Sequence, residues 1–187
     1  ALSQEDKLTQ FGQLELIQTQ TADGSSLNMD FTSIQETTYN THLLILHGIF
    51  YAGTNKVTRM RFSNDGGSTF EAGTGYKTAY QQMVAATFSE VKSTGQDFFN
   101  VIANVGDEAT EVGNTYIYLY NLGDSTKYSY ITFHSSGMSS GGTYFSSTFG
   151  NGVYTVAETI NAIRIFESTT THNITGTASL YGMKEYS

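Results

Sequence analysis

Apolar and polar residues alternate along this chain in short runs, each closed by residues that favour turns. Leu27, Met29 and Phe31 are separated by polar positions, and Met60 and Phe62 are set against Arg59 and Arg61. A period of two sends successive side chains to opposite faces of an extended strand. The pattern predicts strands over Leu14–Gln20, Leu27–Ile34, His42–Tyr51, Lys56–Ser63, Phe98–Asn104, Thr115–Leu122, Tyr128–His134, Tyr144–Thr148, Ala162–Glu167 and Ile174–Met183. Short strands at this even spacing predict a sandwich or a barrel.

The predicted turns are built from Gly, Asn and Asp. Asn64-Asp65-Gly66-Gly67 reads as a hairpin turn between strand-forming triplets, and Asn121-Leu122-Gly123-Asp124 divides two Tyr-rich runs. Asp23-Gly24 and Gly150-Asn151-Gly152 read as further turns. One segment departs from this rhythm. Ala79, Tyr80, Met83, Val84 and Phe88 fall at three-to-four spacing and predict one short helix over 78–91.

Composition sharpens the picture. The 187 residues include 19 Gly, 13 Tyr and 12 Phe but no Pro, Cys or Trp. Roughly nine prolines are expected at average usage, so every tight turn must come from residues that tolerate positive φ or bond their own backbone. The length suits one domain, taken as 14–187, preceded by a polar arm over 1–13 whose apolar points are Leu2, Leu8 and Phe11.

Charged residues make up 14% of the chain, against about 25% in an ordinary soluble protein. A surface of hydroxyls and amides can be buried against a partner with little electrostatic desolvation. The net charge of −8 disfavours nucleic acid and anionic membranes as partners. No apolar run approaches the roughly 20 residues that span a bilayer, and the polar first ten residues do not read as a secretory signal.

Candidate chemistry is sparse. His42 and His47 are five apart, so on a strand they point to opposite faces and cannot share a metal. Asp107, Glu108 and Glu111 cluster without the spacing of a calcium loop, and read as a solvated acidic loop. No Gly-x-Ser-x-Gly elbow is present. The chain is therefore expected not to be an enzyme, and no cofactor or metal is assigned to it.

The suggestive residues are aromatic. Tyr116, Tyr118 and Tyr120 alternate with Ile117 and Leu119, so one sheet face carries Tyr and the other aliphatics, with Tyr128 and Tyr130 extending the row on the next strand. Such ladders stabilise sheets across strands, and they also offer contact area at low side-chain entropy cost. Ser135–Gly142 reads as a surface connection, or as a recognition loop around an exposed Met138.

Six phrases, in order, resemble small virion proteins of tailed bacteriophages of marine and cyanobacterial type. They are Leu16–Ala22, Asp30–Ser33, Phe62–Phe70, Tyr118–Asn121 with Ser125–Tyr128, Ile160–Arg164 and Gly176–Gly182. The resemblance spans about residues 14–183 and leaves out 1–13 and much of 72–112. It implies an all-β, jelly-roll-like antiparallel β-sandwich with at most one short helix. It further implies a place in the virion, either as a trimeric capsid decoration (cement) protein on the major capsid protein or as a tail-fibre module that recognises host glycan. On the cement reading, Leu2, Leu8 and Phe11 anchor the arm. The resemblance transfers no catalytic residue.

Overall fold

A computed structural model describes residues 13–184. Twelve strands form two antiparallel sheets, and the only helical piece among the described residues is a 3-10 turn at Ser140–Gly142. The strands are β1 (Leu14–Ser26), β2 (Asn28–Phe31), β3 (Thr41–Tyr51), β4 (Lys56–Ser63), β5 (Tyr76–Val84) and β6 (Thr87–Gln96). They continue with β7 (Phe99–Val105), β8 (Gly113–Tyr120), β9 (Ser129–Met138), β10 (Phe145–Tyr154), β11 (Ala162–Glu167) and β12 (Ile174–Met183).

One sheet has eight strands in the order β1-β12-β3-β8-β9-β10-β5-β6, and the other has four in the order β2-β11-β4-β7. The chain crosses repeatedly between the sheets. The order β1-β12-β3-β8 opposite β2-β11-β4-β7 is compatible with a jelly roll. Two hairpins, β5–β6 and β9–β10, then widen the larger sheet.

Alternation decides which face of each strand is buried. Leu44, Leu46, Ile117, Leu119, Ile131 and Phe133 point inward from the large sheet, and Phe31, Met60, Phe62, Phe99, Ile163 and Ile165 meet them from the small one. Burying a side chain of this size removes it from water at about 1.5–3 kcal/mol each, which is what holds two sheets together in a chain without disulfides. At one end the rings of Phe62, Tyr76, Phe99 and Tyr154 form a cluster, with centroids of 4.8 Å for both Tyr76–Phe99 and Tyr76–Tyr154. Tyr76 also donates its hydroxyl to the Glu71 carbonyl at 3.1 Å and accepts from the Phe62 amide at 3.0 Å, so its buried polar end is satisfied.

Several local expectations are corrected. Residues 78–91 form no helix but the hairpin β5–β6, turning at Ala85-Ala86 with Ala85 at φ 54°. Thr78 and Tyr80 face inward there, whereas Ala79 and Met83 are exposed. Asn64–Gly67 is not a two-residue hairpin turn, because β4 lies in the small sheet and the next strand, β5, in the large one. Asp65 instead organises a longer loop by accepting from Thr69 N at 2.9 Å and from the hydroxyls of Thr69 and Ser63. Those bonds hold its carboxyl down at about 2.

Asp23-Gly24 is a bulge inside β1, with Gly24 at φ 88°. Gly150-Asn151-Gly152 lies within β10 and is paired on both sides, with β9 and with β5. Ser135–Met138 is the end of β9 rather than a loop.

Candidate functional site

The two outer faces of the sandwich differ. The chain has three arginines, and all three lie on the outer face of the four-stranded sheet. Arg164 binds Asp30 with both Nε (2.8 Å) and Nη2 (2.7 Å) and lies 4.0 Å from the ring centre of Phe70. Arg61 pairs with Asp97 and covers Phe166, and Arg59 sits 3.6 Å over Phe98. Fork-shaped ion pairs and cation–π stacking satisfy this face internally.

The outer face of the eight-stranded sheet is open and aromatic. Register places Ile45, Tyr116, His134 and Phe149 in one row across β3, β8, β9 and β10. A second row runs Thr41, Tyr120, Tyr130, Val153, and a third runs Tyr181, Leu43, Tyr118, Thr132, Asn151. Tyr116 meets His134 edge-on at 5.8 Å, and His134 meets Phe149 at 6.2 Å. Tyr118 stacks on Tyr120 at 6.5 Å. About half of the surface of Tyr116, Tyr130 and Phe149 is exposed, at 46%, 46% and 45%.

Charge is missing from the middle of this face. Outward residues on β12, β3, β8, β9 and β10 include no Asp, Glu, Lys or Arg, and their polar members are Ser, Thr, Asn and the two histidines His47 and His134. Thr132 donates to Asn151 Oδ1 at 2.9 Å, and the hydroxyls of Thr19 and Ser179 share a bond of 3.0 Å, so the polar positions also form cross-strand pairs. Three open depressions score this surface, of about 630, 530 and 310 Å³.

The expected contact residues divide. Tyr116, Tyr118 and Tyr120 share one face as alternation required, and Tyr130 extends their row by pairing with Tyr120. Tyr128 is exposed but precedes β9, in the turn where its carbonyl accepts from Asn121 Nδ2, so it is not part of the ladder. Met138 is half-buried at the end of β9, paired with Phe145, and is not the tip of a flexible loop. Leu2, Leu8 and Phe11 lie outside the described residues. Sequence reasoning missed His134, Phe149, Ile45 and Tyr181, whose membership depends on cross-strand register.

Several other titratable groups hold local structure. His42 points into the sandwich and His47 outward. Only Nε2 of His42 can donate to the Ile34 carbonyl, 2.8 Å away, which fixes the neutral tautomer, and burial lowers its pKa. Asp107 accepts from Ser140 Oγ at 2.6 Å and Glu111 from the Gly142 amide at 2.9 Å, so the acidic loop pins the 3-10 turn. Glu167 is fully buried. Burial pushes its carboxyl up, but donors from Thr169, His172 and Thr171 outweigh that and bring it down to about 2.

Among the described residues no three His, Asp or Glu side chains converge as a metal site, and no helix is long and apolar enough to cross a membrane. Comparison with known protein families finds no matching family model, and comparison with curated proteins finds no match.

Proposed function

We propose that this protein is a non-catalytic structural component of a tailed-bacteriophage particle, a decoration protein that binds the assembled shell from outside and stabilises it. One observation carries the binding part of the proposal. Five adjacent strands present an outer face with large exposed aromatics and no formally charged side chain but histidine. Desolvating such a face against a protein partner costs little, and Tyr and Phe supply most of the contact area.

The particle part rests on the ordered phrases from Leu16 to Gly182 that resemble small phage virion proteins. The partner is then the major capsid protein, and the decorating unit a trimer. The mechanism is mass action: a ligand that binds only the assembled lattice stabilises it by RT ln(1 + [L]/Kd), and attachment at several points multiplies the effect. A net charge of −8 fits a position on the outer surface, away from packaged DNA. The arm over 1–13, with Leu2, Leu8 and Phe11, supplies a second attachment to the same partner.

Cryo-electron microscopy of the intact particle tests this reading. Ordered copies on the capsid lattice are expected, with the aromatic face or the arm against the shell. Deleting 1–13 should lower occupancy while leaving the fold intact. A few copies at the tail and none on the head would overturn the proposal.

The alternative places the same domain in a tail fibre that recognises host surface glycan. A specific observation favours it: open depressions on the sheet face are bordered by exposed rings and small polar side chains, and rings of this kind stack on sugars.

A further inference from the structure

Toward the β6 edge the large sheet changes chemistry. A shallow groove of about 630 Å³ runs beside β10, β5 and β6, with Ala79, Gly152 and Val153 among its lining, and Tyr130, Lys77 and Lys92 at its sides. Lys77 faces Val153 across one strand pair and Ala79 faces Lys92 across the next, so both ammonium groups rise on the same face from adjacent strands. Diagonal neighbours of this kind lie about 7–8 Å apart, close enough for one small anion to meet both side chains.

Neither lysine forms an ion pair among the described residues. In a chain with nine basic residues and seventeen acidic ones, two neighbouring unpaired cations in one groove form a local reversal of sign. The acid on the same face of β6, Glu90, lies opposite Gln81 beside the adjoining depression and makes no ion pair with Lys92. Asn151, also in the lining, uses Oδ1 to accept from Thr132, which leaves its amide nitrogen as a donor.

We infer that this groove binds an acidic saccharide, with the sugar carboxylate between Lys77 and Lys92 and an apolar C–H face of the ring on Tyr130. Each part of the lining has a matching part in that ligand. A carboxylate answers two cations through charge-assisted hydrogen bonds. The ring face answers Tyr130 and the aliphatic floor, and ring hydroxyls answer the amide of Asn151. A peptide fits less well on the groove floor, because β10 and β5 are paired on both sides there and only the outer edge of β6 leaves backbone unpaired.

The inference rests on the sheet face as a binding surface and narrows the glycan alternative to a ligand class. The groove shares Tyr130, Val153 and Asn151 with the aromatic rows and adds the two lysines of β5 and β6 to them.

The test is NMR titration of the full chain with a galacturonic-acid oligosaccharide, its neutral methyl ester, and an acidic peptide of equal charge. Binding of the acid form is expected with Kd on the order of 1 mM or tighter, weakening as salt rises. The ester should bind about tenfold more weakly, and Lys77→Gln and Lys92→Gln should each weaken the acid form about tenfold. Tyr130→Ser should weaken both forms. Unchanged melting of the variants keeps the comparison valid, because all three side chains face solvent.

Equal binding of acid and ester, or lysine variants without effect, would overturn the acidic-sugar inference while leaving the glycan alternative standing. No response to either sugar would overturn the acidic-sugar inference and leave the glycan alternative to the second depression, beside Tyr116 and His134. A peptide that binds as tightly as the sugar would reassign the groove to a protein ligand.

Discussion

The ring of Phe99 stands where a β-carbon on Gly152 would be, with its Cε1 2.5 Å from that position. The small sheet thus presses a core aromatic against the bare backbone of β10, and the glycine is there for close approach rather than for a turn. Gly152→Ala should force Phe99 to move, and with it the cluster of Phe62 and Tyr76 that touches it. A loss of about 1–3 kcal/mol is expected in urea unfolding. A variant as stable as the parent would show that the ring has room to yield.

His42 makes stability depend on pH just below neutrality. Its folded pKa is lowered below 6.5, chiefly by burial, with the Ile34 carbonyl and Glu36 opposing. The unfolded chain therefore takes up a proton near pH 6.5 that the folded protein refuses, and stability falls as pH drops below that value. The slope from this one group is at most about 1.4 kcal/mol per pH unit. Denaturation midpoints at pH 7.5 and 5.5 should differ in the parent, and His42→Gln, which can still donate to Ile34, should show a smaller difference.

A second acid window belongs to Glu167. Its carboxylate accepts from Thr169 N at 2.6 Å, Thr171 N at 3.1 Å and His172 Nδ1 at 3.0 Å, and so ties down the segment between β11 and β12. The folded pKa of about 2 lies below the ordinary 4.5, so this stabilisation is complete above pH 4.5 and is lost as pH falls toward 2. Glu167→Gln places an amide donor among donors and should cost about 2 kcal/mol at pH 7. Its stability should then change less than the parent's between pH 4.5 and 2.

Which parts of this architecture are legible in the sequence follows from where the signal resides. Alternation within one strand is local, so the runs that obey it mark strands and put Tyr116, Tyr118 and Tyr120 on one face. The β5–β6 hairpin is hidden because its turn is made by Ala85 and Ala86, which carry no turn chemistry. Apolar residues also occur on both faces of β5, with Tyr80 inside and Ala79 and Met83 outside, and so imitate a helical stripe. The second half of β10 is hidden for the opposite reason: its glycines look like a turn, but they answer Phe99 of the facing sheet and Tyr80 on the adjacent strand β5. Lys77 and Lys92 are separated in sequence by a turn that the pattern does not announce. Their shared groove becomes visible only once strand register is known.

Tyr118 decides between the two roles open to an aromatic row. It stacks on Tyr120 and meets Tyr116 at 6.2 Å along the same strand, and it faces Leu43 and Thr132 on the neighbouring ones. If the row serves the sheet alone, Tyr118→Ser should cost about 1 kcal/mol of stability and nothing in binding, since cross-strand aromatic pairs contribute on that scale. If the face is the contact surface, the same change should leave stability within about 1 kcal/mol and still reduce binding to the particle several-fold, as loss of a central aromatic contact does. Binding of this one variant separates the roles, and its stability shows that it still folds, because the core beneath, Ile117 and Leu119, is untouched by the substitution. The contact role predicts the second outcome, with Tyr116→Ser behaving alike and Tyr128→Ser, outside the ladder, leaving occupancy unchanged.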